Sequence, residues 1–189
     1  MELPVINHPD YVAKINDDNK FPIKKFGALA KHLLEKDVVK KFYIPKECSF
    51  ETLKTSHSIE YINHIKNKTL DIKAQKKIGF PINDSVVKRS FVATGGTVLA
   101  SKLALDSRLA CNTAGGSHHA TFECGAGYCV FNDVAVAANY LKNKGYAKKI
   151  LIIDLDVHQG NGNSEIFNIL LIKLFCIFIL KVFIIRSFN

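Results

Sequence analysis

The sequence lacks the features that mark several common classes of protein. Its 189 residues include five cysteines but no C-x-x-C pair, which argues against a disulfide scaffold or a zinc ribbon and favours a reducing compartment. No run of lysine and arginine is dense enough for a nucleic-acid-binding arm, so we interpret the net charge of +9 as a lysine-rich solvated surface. An acidic partner or a nucleic-acid surface is the alternative. The amino terminus lacks the basic-then-apolar layout of a signal peptide, and we expect a cytoplasmic protein.

The composition and the order of elements predict one α/β domain. Hydrophobic residues make up 48% and charged residues 23% of the chain, close to the average for soluble proteins. Helical patterns cover three ranges, 26–39, 58–68 and 90–105. Asn132 or Asp133 can cap a further helix that ends at Gly145. The short apolar range 108–112 predicts a buried strand, and the apolar run within 148–158 predicts a parallel strand covered on both faces.

The last segment, residues 168–189, differs in composition from the rest of the chain. It is strongly apolar, but Lys173 and Lys181 interrupt it and leave a charge-free stretch at 174–180. That stretch is far shorter than the roughly 20 residues of a membrane-spanning helix. A buried strand or helix is a second interpretation. We favour a third, in which the segment is foreign to the domain, as after a frameshift or an early stop in a longer gene.

Asp154, Asp156 and His158 alternate at the end of the second predicted strand. Successive side chains of a strand point to opposite faces, so these three are expected to share one face. Open α/β sheets bind ligands at the carboxyl ends of their strands. An Asp-x-His pair offers oxygen and nitrogen to a divalent metal such as zinc; the alternative is a strand end whose polar residues cap a turn. Residues 159–163 are expected to form a tight polar loop.

A second motif places two adjacent histidines, His118 and His119, in a glycine-rich loop over residues 115–129. Histidine titrates near neutral pH, which suits it to general acid–base catalysis. Metal ligation and simple exposure in a loop are alternatives that this pair alone leaves open. The loop does not match the phosphate-binding pattern G-x-x-x-x-G-K-[ST].

Together the two motifs resemble the core of the zinc-dependent histone deacetylase family, which includes acetoin-utilisation-type and acetylpolyamine deacetylases. The resemblance is dense over residues 115–167 and looser upstream, through GFPINDSVVKRSFVATGGTVLA, HSIEYI and HPDY. It implies that residues 1–167 are the amino-terminal part of a deacetylase-like domain and that the apolar tail, 168–189, does not match the family. The implied fold is a three-layer α/β open parallel sheet of the arginase/deacetylase type, truncated after the metal-site strand.

The resemblance also implies residues for the metal and for the substrate. Asp156 and His158 match two of the family's three zinc ligands. Gly127 and Tyr128 match the glycine and the aromatic residue that line the acyl-lysine channel, where a tyrosine keeps the flat wall and adds a hydroxyl. Cys129 matches a cysteine near the site, for which we favour a packing role.

Four further residues match the family's acid–base groups. His118 and His119 match the paired histidines, and His119 is the better candidate for the general base that deprotonates water. Asp154 matches the carboxylate behind the first histidine, where it would hold the tautomer, and also a ligand of a structural K⁺ site. Asn161 lies where the partner of the second histidine is found, as Asp or Asn.

The sequence departs from the family after its second zinc ligand. A third ligand, an aspartate, and an oxyanion-binding tyrosine have no match, since residues 168–189 contain no Asp, Glu, Tyr or Gly. We therefore expect a zinc-dependent deacetylase of acetyl-lysine or a related acetylated amine that is truncated and weak or inactive alone. The alternative is a non-catalytic binding or membrane-tethered remnant. The basic surface weakly disfavours a cationic histone tail as substrate.

Overall fold

The computed structural model describes residues 3–169 and 186–188. Within them the helices are α1 (Lys25–Glu35), α2 (Phe50–Leu53), α3 (Ile59–Asn67), α4 (Ile72–Ile78), α5 (Asp84–Ser107), α6 (Asp133–Asn143) and α7 (Asn161–Ile169). The strands are β1 (Val5–Ile6), β2 (Cys111–Asn112), β3 (Lys149–Leu151) and β4 (Arg186–Phe188). The predicted α/β class is confirmed.

Side-chain caps explain where the helices begin. The side chains of Ser58, Asn83 and Asn132 each accept a hydrogen bond from a backbone N–H three residues further on, at the start of α3, α5 and α6. The helix predicted from residue 90 therefore starts six residues earlier, immediately after Asn83. Gly145 follows α6 with a φ of +72°, in agreement with its predicted place as the end of that helix.

Helices α5 and α6 pack against each other and carry the centre of the core. The largest side chains that are fully buried include Tyr11, Phe80 and Phe131. The Gly95-Gly96 pair inside α5 lets other parts of the chain approach the helix closely, since a Cβ on Gly96 would lie 2.8 Å from the side-chain nitrogen of Asn112.

The first sheet is a short parallel pair. Val5 lies opposite Cys111 and Ile6 opposite Asn112, which brings the amino terminus beside the segment that leads into the histidine loop. The strand predicted over 108–112 is reduced to two residues because Arg108, with a φ of +65°, ends α5. Cys111 is exposed rather than buried.

Strand β3 differs from its prediction in length, pairing and burial. It spans three residues, and the ladder described for it is antiparallel, with Lys149 opposite Phe188 and Leu151 opposite Arg186. The apolar residues 150–153 are half-buried. The expected cover on both faces is not supplied by the described part of the chain.

The apolar tail is described only at its two ends. Residues 168 and 169 continue α7 and residues 186–188 form β4, whereas 170–185 lie outside the described residues. In residues 3–169 and 186–188 we find no helix with the length and apolar composition that crossing a membrane demands. The three interpretations of the tail stay predictions.

Candidate active site

The structure brings the two motifs together around the histidine pair. The rings of His118 and His119 have centroids 4.2 Å apart, and the ring of His119 lies 5.9 Å from that of His158. The side chain of His118 is 5% exposed, whereas His119 is half-buried. One histidine is thus enclosed and the other reaches the surface at the same place as the second motif.

His118 is held by Asp154. Its Nδ1 lies 2.5 Å from Oδ2 of the carboxylate, which is a short hydrogen bond. The carboxylate of Asp154 is itself mostly enclosed, with 17% of the side chain exposed. Gly160 packs directly against it, since a Cβ there would lie 2.5 Å from Oδ2. A glycine is therefore required for the chain to pass this close to the carboxylate.

His119 is held in the same manner by a neutral partner. Its Nδ1 lies 2.7 Å from Oδ1 of Asn161. An amide oxygen only accepts, so Nδ1 carries the hydrogen, and in the neutral imidazole Nε2 then has the lone pair. Gly127 lies against the other side of the ring, where a Cβ would be 2.7 Å from Cδ2 of His119. The ring of His119 is therefore held in one orientation by Asn161 on one side and Gly127 on the other.

Asp156 and His158 form a pair, but the cause differs from the one predicted. Strand β3 ends at Leu151, and the chain turns instead through successive hydrogen bonds, from the N–H of Asp156 to Oδ1 of Asp154 at 3.1 Å and from the N–H of His158 to Oδ1 of Asp156 at 2.9 Å. Such bonds from a backbone N–H to an aspartate two residues earlier are Asx turns. Turn chemistry, rather than strand alternation, holds this segment and brings the side chains of Asp156 and His158 together.

The pair matches part of a zinc site. Nδ1 of His158 and Oδ1 of Asp156 lie 3.0 Å apart, close enough for both atoms to contact one ion with the bond lengths of about 2 Å that zinc prefers. The Asp156 side chain is 11% exposed and that of His158 is 72% exposed. Among residues 3–169 and 186–188, no group of three or more His, Cys, Asp or Glu side chains could hold a metal ion. These residues thus fit two of the ligand positions and do not complete the set.

Helix α7 supports the histidine loop through its first turn. The N–H groups of Gly162 and Asn163 both donate to the carbonyl oxygen of His118, at 2.9 and 3.2 Å. A Cβ on Gly162 would overlap the carbonyl oxygen of Ala120 and lie 2.6 Å from that of His118. The polar loop predicted over 159–163 is therefore wrong from Asn161 onward, where α7 begins.

Asn132 ties α6 to the same loop and was recognised from the sequence only as a helix cap. Its Nδ2 donates to the carbonyl oxygen of Ala120 at 3.1 Å and to Oδ1 of Asn163 at 2.8 Å. Its backbone N–H donates to Nε2 of His57 at 2.9 Å. His57 is fully buried, and burial lowers its pKa to about 4, partly offset by the nearby carbonyl groups of Thr121 and Phe122. The sequence signal for this cluster was weak, because its members lie far apart along the chain.

The two residues expected to line the substrate channel are fixed by α4. The N–H of Gly127 donates to the carbonyl oxygen of Lys77 at 3.1 Å, and the N–H of Tyr128 donates to that of Ile78 at 2.6 Å. Tyr128 has a φ of +64°, which few non-glycine residues adopt. Its ring packs on Phe21, with centroids 4.9 Å apart.

Cys129 follows these channel residues in the sequence, and its environment does not favour a reactive thiol. It is buried, and burial raises the pKa of its thiol to about 11. At neutral pH the sulfur therefore stays protonated. A packing role, as favoured from the sequence, agrees with this environment.

Comparisons with known proteins agree with this geometry. A family model described as the histone deacetylase domain matches residues 20–173. The chain is 44% identical over 169 residues to an uncharacterized protein of Picosynechococcus, covering 88% of this chain and 56% of the relative. It is 31% identical over 160 residues to histone deacetylase 2 of Arabidopsis thaliana, covering 76% and 39%. The crystal structure of a histone deacetylase homologue from Aquifex aeolicus superimposes with a TM-score of 0.74 at 29% identity, covering 88% and 48%. The chain thus spans about half the length of the proteins it matches, and its fold is the arginase/deacetylase type.

Proposed function

The chain belongs to the histone deacetylase family, and from that premise we propose that its described residues form the water-activating part of a zinc-dependent deacetylase site. The reaction is the hydrolysis of the amide of acetyl-lysine or a related acetylated amine, which yields acetate and a free amine. One observation carries this proposal. Two adjacent histidines are each held through Nδ1 by a side-chain oxygen, at 2.5 Å for His118 and 2.7 Å for His119.

His119 is assigned the role of general base. The hydrogen bond to Asn161 leaves Nε2 with a lone pair, and the half-buried ring reaches the surface beside His158. It would accept a proton from the attacking water and later deliver it to the leaving amine. Asn161 carries no charge, so it orients the ring without adding a negative charge next to it.

His118 is assigned a supporting role at the same reaction centre. It is more enclosed than His119, and its short bond to Asp154 fixes the tautomer with hydrogen on Nδ1. The two rings lie 4.2 Å apart and are tilted by 60°, which keeps His118 within reach of a molecule bound at His119. Gly127 and Tyr128, held on α4, would form one wall of the groove for the acyl chain.

Asp156 and His158 would hold the metal. When bound, zinc would polarise the amide carbonyl and lower the pKa of a coordinated water. A catalytic zinc site usually has three protein ligands and a water, and the described residues supply two. A structural K⁺ near Asp154 and a cytoplasmic location stay predictions from the resemblance and from the composition.

The ligand count leads us to propose that this chain alone hydrolyses its substrate weakly or not at all. Removing one oxyanion donor typically costs a factor of about 10²–10³ in rate, and residues 168–189 contain neither a tyrosine nor an aspartate to fill the missing roles. A non-catalytic binding role is the second candidate. It is favoured by the channel residues, whose supports lie entirely within the described part of the chain.

Zinc binding tests the metal assignment. We expect isothermal titration of zinc into the full chain to show weak binding that is lost in Asp156→Asn and in His158→Gln. His32→Gln, which changes an exposed histidine on α1, is the matched control and should bind as the unchanged chain does. Equal zinc affinity in all four proteins would show that the pair is not the metal site.

Turnover tests the catalytic assignment. The full chain with zinc should release acetate from an acetyl-lysine peptide and from an acetylated diamine at or near the background rate. Adding the part of the Picosynechococcus relative that lies beyond the matched region should raise this rate, and His119→Ala should abolish the gain. Turnover by the chain alone that requires His119 would refute the proposed inactivity, whereas a gain that survives His119→Ala would refute the role of that histidine.

A further inference from the structure

The backbone just before the histidine pair is wrapped around a buried carboxylate. Asp133, the first residue of α6, is 2% exposed. Its Oδ1 accepts the N–H of Ser117 at 2.7 Å and its Oδ2 accepts the N–H of Gly116 at 3.1 Å. The hydroxyl of Thr97, on α5, donates to the same Oδ2 at 2.5 Å. One carboxylate thus connects two helices to the turn that leads into His118.

The close approach of the Asp133 carboxylate explains why residues 115 and 116 of this turn are glycines. Gly115 and Gly116 have φ values of +127° and +80°, a backbone conformation that favours glycine. A Cβ on Gly115 would lie 2.5 Å from Oδ2 of Asp133 and 2.8 Å from Oγ1 of Thr97. The pair of glycines before the pair of histidines therefore serves to close the chain around Asp133.

The surroundings of Asp133 compensate its charge. Three hydrogen bonds reach its two oxygens, and it lies at the amino-terminal end of α6, where a negative charge is stabilised. Arg89 of α5 is also buried, and the attraction of Asp133 works against the lowering of its pKa by burial. A buried carboxylate with this many partners is a rigid anchor, and removing the charge would leave donors unsatisfied.

From these contacts we propose that Asp133 is a positioning residue for the histidine pair, an inference that rests on the proposed function of that pair. By fixing the N–H groups of Gly116 and Ser117, it sets the direction in which the chain enters His118. Because Nδ1 of His118 bonds to Asp154 at 2.5 Å, a displacement of the loop would lengthen this bond and change the environment of its proton. Asp133 has no part in the reaction itself and acts only through the orientation of the rings.

The test reads the rings directly and needs neither metal nor substrate. In the full chain labelled with ¹⁵N-histidine, the Nδ1–H protons of His118 and His119 should give downfield NMR signals, assigned through His118→Gln and His119→Gln. Asp133→Asn replaces one acceptor oxygen by an NH₂ group that faces N–H donors. We expect it to weaken or remove both signals while the far-ultraviolet circular dichroism stays unchanged. Asp84→Asn, at the first position of α5 but exposed, should leave both signals intact.

A second pair of variants covers the case in which Asp133→Asn does not fold. Thr97→Val removes the hydroxyl that donates to Asp133 at nearly constant volume, whereas Thr97→Ser keeps it. We expect the imidazole signals to shift in Thr97→Val and to be retained in Thr97→Ser. Unchanged signals in folded Asp133→Asn, or in Thr97→Val, would overturn the positioning role. Because this readout involves no turnover, a failure of the deacetylase assay and a failure of this proposal are separate results.

Discussion

Lowering the pH should destabilise the fold through His57, the buried histidine whose Nε2 accepts the backbone N–H of Asn132. In the folded chain burial lowers the pKa of His57 to about 4, against about 6.5 for a histidine exposed in the unfolded chain. Between these values the unfolded chain binds a proton that the folded chain does not. The free energy of unfolding therefore falls as the pH drops from about 6.5 toward 4. The difference between the two pKa values corresponds to a loss of about 3 kcal/mol once the pH is below both.

Urea denaturation between pH 7 and pH 4.5 measures most of this loss, and the remainder falls below that range. Carboxylates also take up protons over part of the range, so the comparison is between the unchanged chain and His57→Gln, whose amide oxygen can still accept the N–H of Asn132. We expect the unchanged chain to lose about 1.4 kcal/mol per pH unit more than His57→Gln below pH 6. His32→Gln, at an exposed site on α1, should follow the unchanged chain.

Parallel pH profiles for the unchanged chain and His57→Gln would refute this reasoning. A direct check does not depend on the variant folding well. In the folded chain the ring protons of His57 should keep a constant NMR shift between pH 8 and pH 5, because the neutral form persists there. A titration of that signal near pH 6.5 would show that the ring is not excluded from water as the structure has it.

Three further predictions concern the same supports. Gly162→Ala should lower the free energy of unfolding by about 3 kcal/mol or more, because its Cβ would overlap backbone carbonyl groups of the histidine loop. Gly145→Ala has open space around it and should cost only the roughly 1–2 kcal/mol of a left-handed residue, and urea denaturation compares the two. Asn132→Ala should cost about 1–3 kcal/mol more than Asn83→Ala, since both lose a helix cap but only the first leaves buried partners unsatisfied. Cys129, buried and with its thiol pKa raised to about 11, should react with a thiol reagent far more slowly in the folded chain than in urea, as followed by peptide mass mapping.

The elements predicted correctly from the sequence are those whose signals are local. The cap residues Ser58 and Asn132 lie at the starts of their helices, because a side chain that satisfies a free N–H needs only three residues of context. Strand β3 was misjudged for the opposite reason. Its apolar run predicted that other elements would cover both faces of the strand. Whether they do depends on segments far along the chain, which the run itself does not specify.

The pair formed by Asp156 and His158 shows that two residues can meet for a reason other than the predicted one. The alternation of residue types predicted that they would share a face of a strand. In the structure Asp154 and Asp156 instead each accept the N–H of the residue two positions later, and this turn places Nδ1 of His158 3.0 Å from Oδ1 of Asp156. Spacing of two is common to strands and Asx turns, so the sequence alone did not separate them.

His57, Asp133 and Asn163 were missed as supports because their effect exists only in three dimensions. Asn163 is hydrogen-bonded to Asn132 although the two are 31 residues apart in the sequence, and His57 is bonded to Asn132 across 75 residues. Nothing in the residues next to any of these positions indicates the partner. A buried polar side chain without a local explanation is nevertheless a useful signal, because such a group needs a hydrogen bond and finds it far along the chain.

The two parts of the candidate site are supported to different degrees, and this difference bears on what limits the chemistry. The histidine loop is hydrogen-bonded to Asn132, which caps α6, to Asp133 and to the first turn of α7. The residues that support the two rings therefore lie within residues 112–163. In the proposed metal pair the His158 side chain is 72% exposed, with Oδ1 of Asp156 3.0 Å from its Nδ1 and the His119 ring centroid 5.9 Å from its own. An acid–base pair that is already rigid gains little from further ordering, whereas a metal site with two ligands gains both affinity and orientation from a third. Restoring a metal ligand should therefore raise turnover more than any change that stiffens the histidine loop.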